Sequence, residues 1–222
     1  MLGADAVPVA VGSPTAEQGG RRPSDSPADK QALLDALRRR HDSECPHCTT
    51  ATGHTRTVFG EGAPDARLMF VGEAPGAEED RTGRPFVGRA GKLLDKIIEA
   101  MGLSRDEVYI ANVLKSRPPN NATPTAAEAA RCGPYLLEQI RIIQPEVIVT
   151  LGKPAANLLL GTNEAMGRLR GVWRQYEGVP LMPTYHPAFL LRSYTPENRA
   201  RVWSDMRQVM QRLGLPDPAA DR

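Results

Sequence analysis

Short unbroken apolar runs alternate along this chain with longer stretches whose apolar residues recur every three or four positions. Leu68-Met69-Phe70-Val71, within 67–72, is one such run; 108–114 and Glu146-Val147-Ile148-Val149-Thr150-Leu151 are others. Runs of this length read as strands buried on both faces, which is the signature of a parallel sheet. Between them, 88–101 carries Leu93, Leu94, Ile97 and Ile98 on one helical face. Thr125-Ala126-Ala127-Glu128 has the form of a capping box opening a helix that runs to Ile143. Further helices are expected over 29–40, with Leu33, Leu34 and Leu37 on one face, over 154–160, and over 196–213. Segments 171–176 and 179–184 flank Glu177-Gly178 and read as a strand pair joined by a tight turn.

This β-α-β-α-β alternation predicts an α/β fold, a three-layer α/β/α sandwich around a central, mostly parallel sheet. No internal repeat interrupts it, so one domain is expected over 29–213. Residues 1–28, rich in Ala, Gly, Pro, Ser and Asp without periodicity, read as a disordered tail, and 214–222 as a short C-terminal one.

Composition narrows the function classes. The 222 residues carry a formal charge of +2, too small to announce a nucleic-acid binder by bulk charge. Arg and Lys nevertheless gather at 115–117, 168–174 and 192–212. No apolar stretch approaches the ~20 residues that span a bilayer, and no secretory h-region opens the chain, so no membrane partner is expected. Three cysteines, two in a Cys-x-x-Cys pair, argue against a disulfide scaffold and for a reducing, cytoplasmic location.

The candidate chemistry sits at strand ends, where open α/β sheets bind their ligands. The first apolar run leads into Gly72-Glu73-Ala74-Pro75-Gly76, then Ala77-Glu78-Glu79-Asp80 and Gly83-Arg84-Pro85-Phe86-Val87-Gly88. Glycines allow backbone N–H groups close to a substrate, and Pro75 fixes one turn of the path. The second run carries Asn112, and Leu181-Met182-Pro183-Thr184 leads into Tyr185-His186-Pro187-Ala188. Singly, these residues also suit an acidic turn, a turn-forming Asn and a surface His. Together on one edge they suit recognition of a base. An Asn amide matches a pyrimidine's polar edge, Phe86 offers a stacking face, and His186 can donate to an oxygen that gains charge as a bond breaks. Glu73 or Glu79 could position water or stabilise a cationic sugar. Cys45-Pro46-His47-Cys48 is compatible with zinc, an iron–sulfur cluster or a redox pair, although a redox pair would open a helix rather than follow one.

On these segments, with Phe59-Gly60-Glu61-Gly62, Asn112-Val113-Leu114-Lys115, Arg117-Pro118-Pro119 and His186-Pro187-Ala188, the chain resembles the family 4 uracil-DNA glycosylases, over about 33–212. The resemblance implies a monofunctional hydrolase that flips uracil out of DNA and cleaves its N-glycosidic bond, initiating base-excision repair as a monomer. Asn112 would read the uracil edge, Phe86 would stack on the base, and His186 would bond the uracil O2. Glu73 and Glu79 would support hydrolysis, while Gly72, Ala74 and Gly76 shape the loop. Uracil would be told from thymine by steric exclusion at C5 and from cytosine by the hydrogen-bond pattern of Asn112. Lys115, Arg117 and Arg192 would meet DNA, with Leu190 as an apolar wedge in the minor groove.

The same resemblance implies a structural [4Fe–4S] cluster on four cysteines. Three correspond to Cys45, Cys48 and Cys132, but Ser116 stands where the fourth is expected. An alkoxide is a harder ligand than a thiolate. Ser116 at the fourth iron, a three-iron cluster, and zinc are the alternatives, with His47 a substitute ligand that is expected to point away. A DNA-binding relative with a metal-stapled fold and little or no activity is the alternative function.

Overall fold

The computed structural model describes residues 26–217. Six strands form one sheet in the order β1-β3-β2-β4-β6-β5. Its four central strands are β2 (Leu68–Gly72), β3 (Tyr109–Asn112), β4 (Val147–Leu151) and β6 (Val179–Thr184), all parallel to one another. Two short antiparallel strands close the edges: β1 (Glu61–Gly62) beside β3, and β5 (Arg174–Tyr176) beside β6. The mostly parallel sheet with helices on both faces is the architecture that the alternation of runs predicted.

Why the central runs are unbroken is plain from their alternation. Met69 and Val71 enter one core with Tyr109, Ala111, Ile148 and Leu181. Their immediate neighbours Leu68 and Phe70 enter the other with Ile110, Val147, Val149 and Met182. Both faces of the central strands are therefore covered, and the buried polar residues in them are confined to Thr150 and to the carboxyl ends, Asn112 and Thr184. Helices α1 (Pro27–Glu44), α4 (Ala126–Ile143) and α5 (Lys153–Leu160) cover the first face through Leu34, Leu136 and Leu159. Helices α3 (Arg89–Ala100) and α8 (Pro196–Leu213) cover the second through Leu94, Ile98, Val202 and Val209.

The capping box of α4 forms as its sequence predicts: Thr125 Oγ1 accepts from the Glu128 N–H, and the Thr125 N–H donates to Glu128 Oε2 at 2.7 Å. Such a cap contributes about 1 kcal/mol. At the N-terminus the expected tail is shorter than the sequence suggests. Ser26 caps α1 through the Asp29 N–H and Pro27 occupies the first turn, so 26–28 belong to the folded domain. The rest of that expected tail, 1–25, lies outside the described residues, as do 218–222 of the C-terminal one. Among the described residues no helix is long and apolar enough to cross a membrane.

Four elements escape a reading by periodicity: β1, α2 (Ala77–Thr82), α6 (Met166–Leu169) and α7 (Pro187–Arg192). Each is too short to display a full repeat. Tertiary contact decides them instead; in β1, a Cβ on Gly62 would lie 1.8 Å from the Val108 carbonyl oxygen.

The topology sets the position of the site. From β2 the chain passes through α3, on one face, to β3; from β4 it passes into α5, on the other. Connections that leave adjacent parallel strands toward opposite faces open a crevice at the strands' carboxyl ends.

Candidate active site and metal centre

A cleft of about 550 Å³ occupies that crevice, and the loops after β2, β3, β4 and β6 all line it. Glu73, Ala74, Gly76, Phe86, Asn112 and His186, distant in the chain, meet there. Asn112 ends β3, buried at 2 % exposure, and its side-chain oxygen has no hydrogen-bond partner. A buried carbonyl oxygen without a donor costs about 1–3 kcal/mol and marks a group kept for a ligand. Gly72, paired beside Asn112 in the sheet, lets it sit this close. A Cβ there would lie 2.4 Å from both Asn112 Oδ1 and Phe86 Cζ. The Gly72 requirement is therefore room for the pocket's side chains.

Phe86 adopts a left-handed backbone (φ 50°), an unfavourable state for a bulky residue. Several contacts impose it. Arg105 donates to the Phe86 carbonyl at 3.2 Å and to that of Pro85, while its other bonds run to Asp95 and Glu61. Gly91 packs so tightly that a Cβ would meet the Phe86 oxygen at 1.8 Å. The Phe86 ring stacks on the His186 imidazole, with centroids 5.6 Å apart and planes inclined by 30°.

The two carboxylates differ sharply in use. Glu79 is buried, and its oxygens accept three backbone N–H bonds, from Gly76 at 3.1 Å and from Val87 and Gly88 at 2.8 Å each. It ties the start of α2 to the turn that carries Phe86. Glu73 is half-buried, and that burial raises its carboxyl above the usual range, with Thr123 partly offsetting the effect. It faces the cleft with lone pairs to spare.

His186 caps α7: its Nδ1 accepts from the Ala188 N–H at 3.0 Å. A neutral imidazole that accepts at Nδ1 carries its proton on Nε2. Burial, reinforced by the charge of Arg192 and opposed by Glu79, holds its pKa down to about 4. The ring is thus neutral at pH 7 with a single N–H to offer. Gly152, at φ +88°, gives it room; a Cβ there would meet His186 Cβ at 3.1 Å.

Two residues expected at the DNA surface lie elsewhere. Lys115 is completely buried, its ammonium donating to the Asn112 carbonyl at 2.9 Å and to Gln139 Oε1 at 2.5 Å. Burial pushes its pKa down to about 8, despite the neighbouring thiols. It braces the end of β3 from behind and cannot reach a phosphate. Leu190 is likewise in the core, because on the short helix α7 it faces Leu94 and the α8 side of the sheet. The partly exposed apolar residues of that helix are Phe189 and Leu191. Arg192 is exposed at the cleft rim, and half-buried Arg117 bonds Asn121 Oδ1 at 2.8 Å beside it. Tyr185, from the loop that carries His186, also lines the cleft, as do Lys153 and Asn121, which had no motif to announce them.

Behind Asn112, the three cysteines come together. Cys45 caps the C-terminus of α1, Cys48 follows in the next turn, and Cys132 projects from α4; all are buried and free of disulfides. Cys48 Sγ lies 3.7 Å from Cys132 Sγ. Ser116 Oγ lies 3.4 Å from Cys48 Sγ, and the Lys115 N–H donates to Cys132 Sγ at 3.3 Å. The Cys48 thiol is pulled down to about 3, chiefly by its hydrogen bond with Cys132. Thiols held beside hydrogen-bond donors are the chemistry of a soft metal site, so the residues fit a metal centre. Beside Ser116 a further side chain joins the three cysteines, and it is His41 rather than His47. An imidazole nitrogen of His41 lies with the three sulfurs, all four atoms being within 4.8 Å of one another. Sequence reading passed over His41 because it sits outside the Cys-x-x-Cys loop, one helical turn before Cys45.

A cleft at the switch point of a parallel sheet, with an unpaired amide oxygen, a stacked aromatic and a neutral imidazole, defines an α/β protein with a site suited to a planar polar ligand. The model of the Uracil DNA glycosylase superfamily matches residues 59–207, and the chain belongs to that superfamily. Within it, the chain belongs with the Type-4 enzymes. It is 47% identical over 168 residues to the Type-4 uracil-DNA glycosylase of Thermotoga maritima, covering 75% of this chain and 88% of the relative. It is 46% identical over 176 residues to that of Sulfurisphaera tokodaii (75% and 79%) and 41% identical over 182 residues to that of Archaeoglobus fulgidus (78% and 90%).

Proposed function

We propose that this chain excises uracil from DNA by hydrolysing the N-glycosidic bond, and that the cleft between the β2, β3, β4 and β6 loops is its active site. The observation that carries this reading is the convergence of the unpaired Asn112 amide, the Phe86 ring and the Nε2–H of His186 in one cleft. Membership of the Type-4 family supports it.

A uracil turned out of the helix enters the cleft and lies against Phe86. The Asn112 amide donates to uracil O4 and accepts from N3–H, whereas cytosine offers a donor and an acceptor in the reverse order. As the C1′–N1 bond breaks, its electron pair passes to N1 and spreads onto O2, where the His186 Nε2–H donates to the growing charge. Water adds to the cationic C1′ and loses its proton toward Glu73, the carboxylate with free lone pairs and a raised pKa. Glu79, whose oxygens are committed to three backbone N–H groups, is a positioning residue that holds the Phe86 turn. Arg192, Arg117 and Lys153 supply positive charge for phosphates at the rim. Phe189 and Leu191 take the wedge role from Leu190, and the base leaves a stack whose disruption costs a few kcal/mol.

The finer reading of the metal centre is a structural iron–sulfur cluster on Cys45, Cys48 and Cys132. Such a group fastens α1, the β3 loop and α4 behind Asn112; it takes no part in bond cleavage.

The test is uracil release from a duplex holding one deoxyuridine, using protein purified without oxygen. Release of free uracil with an alkali-labile abasic strand is the expected result. Tight binding of the duplex with no release would overturn the glycosylase reading in favour of a binding-only relative.

A further inference from the structure

We infer that His41 Nε2 is the fourth protein ligand of the metal centre, in the place that Ser116 would be expected to fill. The inference rests on the metal-centre reading above and is independent of base excision.

His41 is completely buried near the end of α1, one turn before Cys45, whose backbone N–H bonds the His41 carbonyl at 3.0 Å. Helical spacing therefore aims the imidazole and the Cys45 thiol at the same point. The ring is held from its other side: Nδ1 lies 2.8 Å from Asp42 Oδ1, an oxygen that also accepts from the Thr57 hydroxyl at 2.8 Å. A carboxylate on Nδ1 fixes the proton there and leaves a lone pair on Nε2. It also raises ligand basicity, the usual second support of a metal-bound histidine. Tyr135 meets the ring edge-on at 4.9 Å and Phe59 lies at 5.9 Å, so the ring has no alternative seat.

Nε2 itself is buried and has no hydrogen-bond partner. An orphaned lone pair in the interior costs about 1–3 kcal/mol unless something coordinates it. With Nδ1 turned to Asp42, Nε2 is the nitrogen left to face the three thiols, and the imidazole's ligand atom and those sulfurs all lie within 4.8 Å of one another. Imidazole nitrogen is an accepted partner of thiolates around zinc and in iron–sulfur centres.

Ser116 is used differently. Its hydroxyl oxygen accepts from the Cys48 thiol at 3.4 Å, while the Lys115 N–H donates to Cys132 Sγ at 3.3 Å. A hydroxyl engaged with a cysteine sulfur in this way supports the centre from outside. As a ligand it would have to surrender its own proton to become an alkoxide, a harder donor than thiolate or imidazole. The serine and the histidine thus make one arrangement: the position of the missing thiolate now steadies a neighbouring sulfur, and the vacated coordination site is served from α1.

The experiment counts iron, sulfide and zinc per chain in wild type, His41→Ala, His41→Cys and Ser116→Ala, and follows metal loss to a chelator. Circular dichroism reports folding. Ser116→Ala should keep the wild-type metal count. His41→Ala should lose its metal at least about tenfold faster than Ser116→Ala, more than removal of an outer hydrogen bond explains, and His41→Cys should restore retention with a thiolate. A spin-echo spectrum gives a readout that does not depend on any variant's folding. The reduced wild-type protein, or its cobalt(II) form where zinc is resident, should show a coupling to imidazole nitrogen. Equal retention in His41→Ala and wild type, faster loss in Ser116→Ala than in His41→Ala, or no nitrogen coupling would each overturn the assignment. One zinc per chain without iron or sulfide would overturn the iron–sulfur reading, yet His41-dependent retention would still support His41 as the ligand.

Discussion

Replacing Glu79 by Gln changes one atom of the active-site loop and separates two roles that a carboxylate can play. In the native loop Oε1 takes the N–H groups of Val87 and Gly88, and Oε2 takes that of Gly76. An amide keeps one acceptor oxygen and turns an NH₂ group toward the remaining donor. If the oxygen stays with Val87 and Gly88, the Gly76 N–H loses its acceptor and faces another donor. One such loss in a half-buried loop costs about 2 kcal/mol. For a domain of this size that lowers the melting temperature by about 4–8 °C. Glu79→Ala, which abandons all three donors, should cost about 3–6 kcal/mol on the same reasoning. Because the clamp holds Phe86 at its positive φ, the slackened turn should weaken uracil binding, so excision should fall mainly through KM. Thermal unfolding and steady-state uracil release on the same preparations measure both effects. An unchanged melting temperature, with a collapse in kcat at constant KM, would refute the clamp and make Glu79 a chemical base.

Asn112→Ala should leave affinity for abasic DNA within a few-fold and reduce excision steeply, because it removes base reading alone; normal excision would place the pocket elsewhere. Gly72→Ala drives a methyl group against Asn112 and Phe86 at 2.4 Å, and should cost about 1–3 kcal/mol and most of the excision rate, read by urea unfolding and uracil release. His186 has a depressed folded pKa of about 4, against about 6.5 in an unfolded chain. Between these values the unfolded chain holds a proton that the folded one refuses. The contribution is therefore full above about pH 6.5 and is lost as pH falls toward 4, by up to about 3 kcal/mol. Urea unfolding across that range should show a flatter pH dependence in His186→Gln than in wild type, and parallel curves would contradict the buried neutral ring.

The sheet and its flanking helices were legible because their information is local and repeated. Each central strand is buried on both sides, so its apolar run is unbroken, and each long helix shows its stripe several times over. The motif residues Gly72, Asn112 and His186 could be placed at strand ends for the same reason. Ends and orientations were harder. Lys115 follows Asn112 by only three positions and reads as a surface cation. Its ammonium turns inward because the Asn112 carbonyl and Gln139, the latter from α4, offer it acceptors. Leu190 reads as part of an exposed loop until α7 forms and turns it onto the core.

The order of apolar runs and turns was enough to specify a mostly parallel α/β sheet, and the loop motifs were enough to name strand-end residues that share one cleft. What no local pattern carries is which groups meet across the fold. The three backbone donors that occupy Glu79, the orphaned oxygen of Asn112 and the union of His41 with Cys45, Cys48 and Cys132 are all of that kind. Hydrogen bonding and coordination act over a few ångströms in space, not along the chain. Whether a carboxylate is free to act or is spent on structure is settled only when the partners that saturate it arrive.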